Sequence, residues 1–129
     1  MTWITAMRIR KCALGSFLAL AGWVLGVGLA PAHSALLRAE PSVESKLKWP
    51  PSEVKLTFTG RLEAAYSAIR VRNEQGAEVD RQDTHVDPSN PLLLRTTLEP
   101  LERGAYWVIW RVLSIDGNVT EGRYTFRVE

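Results

Sequence analysis

Four residues in this 129-residue chain have side chains and positions that can hold a metal ion: His33, His85, Asp116 and Asn118. His33 follows Ala30, Pro31 and Ala32, a small-x-small pattern of the kind signal peptidase cuts. Cleavage after Ala32 makes His33 the first residue of the mature protein. Its free α-amine and its imidazole Nδ1 then form a bidentate nitrogen chelate. An internal histidine cannot do this, because its backbone nitrogen is an amide. Asp116 stands before Gly117 and Asn118 in a tight turn, so its carboxylate serves either as a ligand or as a cap on nearby backbone amides. Asn118 reads as a turn cap before it reads as a ligand. His85 lies between Asp83 and Asp87 in a polar stretch. It reads first as an exposed loop histidine, and second as a spare imidazole for a site assembled from distant turns. The two flanking aspartates lack the dense acidic pattern of a calcium loop.

The leader sets the compartment. Arg8, Arg10 and Lys11 form a positive start, and residues 13–29 carry no charge. This pattern predicts a signal peptide over residues 1–32, export, and a single mature domain over residues 33–129. An uncleaved anchor is the alternative, since the apolar run approaches membrane-spanning length. The only cysteine, Cys12, and both methionines, Met1 and Met7, fall in the leader. The mature domain therefore has no thiolate, no disulfide and no thioether for Cu(I). Its 13 Lys and Arg against 14 Asp and Glu give no basic surface for nucleic acid. No internal feature points to an oligomer, so a monomer is the default expectation.

Turn signals divide the mature chain into short strands. Strands are expected over 34–39, 54–58, 68–72, 92–96, 105–113 and 122–128, with a return strand starting at 77–79. The turn at 73–76 ends on a glycine suited to positive φ. Residues 83–91, with two prolines, read as loop. The 105–113 strand is apolar at nearly every position, which predicts cover on both faces. The last two strands form a hairpin around Asp116, with Tyr124, Phe126 and Val128 on one face and Arg123, Thr125 and Arg127 on the other. Trp107, Trp110, Tyr124 and Phe126 read as core. Trp49, beside two prolines, reads as an edge cover or part of a partner surface. About seven strands with no helical stripe predict an all-β sandwich or Greek-key barrel.

Five stretches together resemble the CopC copper-resistance family of periplasmic proteins. They are Ala32 to Leu37 (AHSALL), Ala39 to Ser42 (AEPS), Pro50 to Phe58 (PPSEVKLTF), Gly104 to Val112 (GAYWVIWRV), and SIDGN from Ser114 followed by GRYTF from Gly122. The resemblance spans the mature chain in order. It implies an immunoglobulin-like Greek-key β-sandwich or barrel exported to the periplasm, with Cu(II) binding and transfer beside an inner-membrane, CopD-like transporter. It also implies ligands at the N-terminal histidine and at the aspartate and histidine of a D-G-H turn, which map to His33, Asp116 and position 118. This chain has Asn118 where the second histidine stands, and Gly60 where some members carry an acidic residue. The expected ligand set is therefore depleted: two nitrogens from His33 and one carboxylate from Asp116.

These readings predict a copper-handling protein, with a non-metal interaction module as the alternative. An enzyme is not expected. A copper monooxygenase needs a second imidazole, which only His85 offers, and no nucleophile-elbow motif supports hydrolysis.

Overall fold

The computed structural model describes residues 34–129. The expected leader and His33 lie outside them. Eight strands and one 3-10 turn (Ala64–Tyr66) follow one another: β1 (Leu36–Glu40), β2 (Lys46–Leu47), β3 (Glu53–Phe58), β4 (Ala68–Asn73), β5 (His85–Asp87), β6 (Asn90–Thr97), β7 (Gly104–Leu113) and β8 (Val119–Val128). They form two four-stranded sheets, ordered β1-β3-β6-β5 and β2-β8-β7-β4. The all-β sandwich expected from the strand pattern is what the chain adopts.

Alternation builds the core. On β3 the residues Val54, Leu56 and Phe58 are buried while their neighbours are half-exposed, as a period of two requires. From the other sheet Tyr106, Val108 and Val112 of β7 meet Tyr124, Phe126 and Val128 of β8. Tyr106 stacks on Phe126 at 5.3 Å, a favourable aromatic separation. The β7–β8 hairpin is the longest ladder, running from Gly104 opposite Val128 to Leu113 opposite Val119.

The structure corrects four local expectations. Residues 83–91 are not loop: β5 and the start of β6 lie there, paired at Asp87 and Asn90. The prolines are tolerated because Pro88 sits in the connecting turn and Pro91 precedes the pairing of β6 with β3, which begins at Leu93. Neither therefore breaks a ladder. β7 is not covered on both faces. Its residues alternate, and Trp107 is 37% exposed, so this aromatic is not core. Trp110 is only half-buried, packed against the core and tilted over Tyr124. Residues 77–79 return along β4, the Asn73 amide donating to the Ala77 carbonyl and the Val79 amide to the Val71 carbonyl, but they form one bridge, Arg72 opposite Glu78, and no strand; at residue 80 the Asp80 side chain takes over the edge by accepting from the Val71 amide. The first strand starts at Leu36, not at residue 34.

Candidate metal centre

One end of the sandwich gathers three segments: the chain entry at Ser34 and Ala35, the 60–63 connection, and the β7–β8 turn that carries Asp116. The turn closes when the Ser114 amide donates to the Asn118 carbonyl (2.9 Å) and the Gly117 amide to the Ser114 carbonyl (2.9 Å). Gly117 has φ +90°, a conformation that favours glycine. The Asp-Gly pair is thus required by the turn as well as available for chemistry. The 60–63 connection packs onto the same turn, with Glu63 N donating to the Leu113 carbonyl (2.8 Å) and Ile115 N to the Arg61 carbonyl (3.1 Å).

Asp116 is exposed at the tip. Its Oδ1 accepts from the Ser114 hydroxyl and from the Asn118 amide at 3.2 Å. The Ser114 hydroxyl is the main reason that the carboxyl titrates below its ordinary range, with the Asn118 amide and side chain adding to it. Hydrogen bonds to a carboxylate favour its charged form. Near neutral pH this position therefore presents an anionic oxygen already held by its own turn. Asn118 is half-buried, and it is the Asp116 carboxylate that caps its backbone amide.

The chain entry reaches the same end. Thr120 donates its hydroxyl to the Ser34 carbonyl at 3.0 Å, and Thr120 stands one ladder step from Val119, the last pair before the turn. Ala35 is clamped twice by Thr59: its amide donates to Thr59 Oγ1 (3.0 Å) and its carbonyl accepts from the Thr59 amide (2.9 Å). Ser34 itself is buried, and its hydroxyl has no partner among the described residues. Gly60 makes this fit possible: a Cβ there would lie 2.7 Å from Ser34 Oγ. A side chain at position 60 would force the Ser34 hydroxyl to turn away.

His85 sits elsewhere. It lies on β5, an edge strand of the other sheet, opposite Arg95, and Nδ1 donates to the Asp83 carbonyl at 2.8 Å. No described hydrogen bond or ion pair joins it to the Asp116 turn. The flanking aspartates are engaged by protein donors. Asp83 accepts from Thr96 and Thr97, and Asp87 from Ser89 and Arg95. Among the described residues no group of three or more His, Cys, Asp or Glu side chains converges as metal ligands. The sequence reading missed Ser114 and Thr120. Ser114 was visible two residues before Asp116, the spacing of a local hydroxyl-to-carboxylate bond. Nothing in the sequence marked Thr120.

The described residues thus form a two-sheet β-sandwich whose chain entry is tied beside an Asp-Gly turn. The chain belongs to the CopC domain family, which it matches over residues 36–129. It is similar in structure to CopC from Methylosinus trichosporium OB3b (37% identity, TM-score 0.71, covering 75% of this chain and 94% of that one). It also resembles PcoC, a methionine-rich copper resistance protein from Escherichia coli (28% identity, TM-score 0.64, 76% and 100%). Among curated relatives it is 28% identical to the copper transport protein CutJ of Bacillus subtilis, over 75% of this chain but only 18% of that protein's length. It is also 28% identical to YobA of Escherichia coli K12, over 76% of this chain and 80% of the relative.

Proposed function

We propose that this chain is a periplasmic copper-handling protein that carries Cu(II) as cargo on His33 and Asp116. Cleavage after Ala32 frees the α-amine of His33, which binds together with the imidazole, and the Asp116 carboxylate supplies a third donor. Water completes the tetragonal coordination that Cu(II) favours. The observation that carries this reading is the Thr120 hydroxyl on the Ser34 carbonyl. It tethers the residue next to His33 at the end of the hairpin whose turn holds Asp116.

The centre is a weak one. Asn118 contributes a neutral carboxamide where an imidazole would bind far better, and each 1.4 kcal/mol lost is about tenfold in affinity. An exchangeable site suits delivery to an inner-membrane, CopD-like transporter more than long-term storage. A second reading, an interaction module without metal, is favoured by one fact. Ser114 and Asn118 already satisfy Asp116, so the turn is stable without an ion.

Intact mass of the exported protein, followed by Cu(II) titration, tests the proposal. The expected mass is that of residues 33–129, and the expected titration is a one-to-one d–d absorption band that is lost in His33→Ala and weakened in Asp116→Ala. A different start, or binding no tighter than that of a free His-Ser-Ala peptide, overturns it.

A further inference from the structure

An antiparallel sheet with one face on a core ordinarily turns polar side chains to water on the other. The β1-β3-β6-β5 sheet does so with balanced charge. Its strands hold three acids, Glu40, Glu53 and Asp87, and three matching bases, Arg38, Lys55 and Arg95. In the second sheet β4, β7 and β8 carry five arginines, no lysine and one acid, Glu121. The near-even total of the mature domain, 13 Lys and Arg against 14 Asp and Glu, hides this uneven placement.

Ladder register sets the outward residues of that sheet in rows. Even residues of β4 and odd residues of β7 and β8 point away from the core, because Ile69, Val71, Val108, Val112, Tyr124 and Phe126 take the inward parity. One row is Arg70, Ile109 and Arg123, and the next is Arg72, Trp107 and Thr125. Trp107 and Ile109 therefore lie mid-sheet between guanidinium groups. At the hairpin end of the same face Leu113 pairs with the exposed Val119. Tyr66, 71% exposed, stands on the 3-10 turn that leads into β4.

The nearby carboxylates leave the middle of the face open. Glu121 pairs with Arg111 at 2.6 Å. Glu74, Glu78 and Asp80, from the segment after β4, approach Arg127, Arg72 and Arg70 at 3.7, 3.9 and 3.6 Å. Ion pairs on an exposed face are weak, and a guanidinium with five N–H donors keeps some free. The Arg123 side chain has no ion pair among the described residues.

We propose that this face docks on an anionic phospholipid bilayer. Arginine forks match the oxygens of phosphodiester headgroups. Tryptophan and tyrosine settle at headgroup level, and Ile109, Leu113 and Val119 reach the acyl boundary between them. The hollows beside Trp107 and Ile109 are open ones, which suits a broad, fluid surface better than a protruding peptide. Docked this way the sandwich lies on its side, with the Asp116 turn, at the end of β7 and β8, beside the bilayer. The surface does not depend on the metal reading.

Flotation of the exported protein with lipid vesicles is the test, with the fold of each variant checked by circular dichroism. Binding is expected to vesicles of phosphatidylglycerol mixed with phosphatidylcholine, weakening as salt is added, and not to phosphatidylcholine alone. Arg123→Glu weakens it by about tenfold or more. Arg38→Glu makes the same charge change at an exposed site of the opposite sheet and leaves binding close to the parent's. Brominated acyl chains quench the tryptophan emission of the bound protein, and Trp107→Phe removes most of that quench while Trp49→Phe keeps it. Failure to float with the anionic vesicles at low salt overturns the proposal, as does equal weakening by Arg38→Glu. Retention on immobilised polyglutamate without flotation also overturns it, and would assign the face to an acidic protein.

Discussion

The contact between the Ser114 hydroxyl and Asp116 determines what the hairpin turn offers to an ion. It holds the carboxylate charged and fixes the direction in which it points, because Ser114 is itself buried and bonded at its amide. Its removal has a signed consequence. Asp116 titrates below its ordinary range in the folded protein, so its contribution to stability is complete above the unfolded value and fades as pH falls through the lower, folded one. Ser114→Ala removes the main cause, and the Asp116 midpoint should move upward toward an ordinary aspartate. A carboxyl-carbon NMR titration of the two proteins reads this directly. An unchanged midpoint would assign the shift to the Asn118 amide instead. Asp116 was legible in the sequence as a turn residue and as a candidate ligand. Its partner was not singled out, because a local hydroxyl bond depends on rotamers that spacing alone does not fix.

At the scale of elements, β5 and β6 show how a polar, proline-containing stretch becomes sheet. Asp83 accepts from the Thr97 amide and from the hydroxyls of Thr96 and Thr97. Those bonds hold its pKa down at about 2, against an ordinary 3.8, the Thr97 hydroxyl being the largest cause. Beside it, Arg95 makes a bidentate pair with Glu53 of β3 and a 2.7 Å bond to Asp87 of β5, crossing three strands of one sheet. Charge-assisted bonds of this kind carry geometric specificity as well as energy. Asp83 lies at the surface, so its share of stability is small. It is fully present above about pH 4 and disappears as pH falls through about 2. In Asp83→Asn the urea midpoint should fall below the parent's at neutral pH. The gap should stay constant down to about pH 4 and close between there and pH 2. A gap independent of pH over that window would show that the lost stability does not come from the charge of Asp83.

For the whole molecule, ion binding and folding are linked. An ion that binds the folded site and not the unfolded chain raises stability by about 2.7 kcal/mol at a hundredfold excess over its dissociation constant. The amine and imidazole of an N-terminal His33 exist in the unfolded chain too, so only the share added by Asp116 counts. Cu(II) should therefore raise the melting temperature by a few degrees at most, less than a fully preformed site would give. His33→Ala should abolish the rise. A residue placed before His33 should do the same, because it converts the amine to an amide. A rise that survives either change would move the binding group away from the chain start.

Alternating apolar residues, the glycine turns and the leader pattern were enough, from the sequence, to give the class of fold, most strands and the family resemblance, because period-two burial and turn chemistry are local properties of the chain. Tertiary structure alone decided that β7 leaves Trp107 half in water, that His85 lies on an edge strand and not in a loop, and that Gly60 makes room for a buried Ser34. It also decided that Thr120 ties the chain entry to the hairpin end. Each of these depends on which strands become neighbours across the sandwich, and that choice is made by packing between residues far apart in the chain.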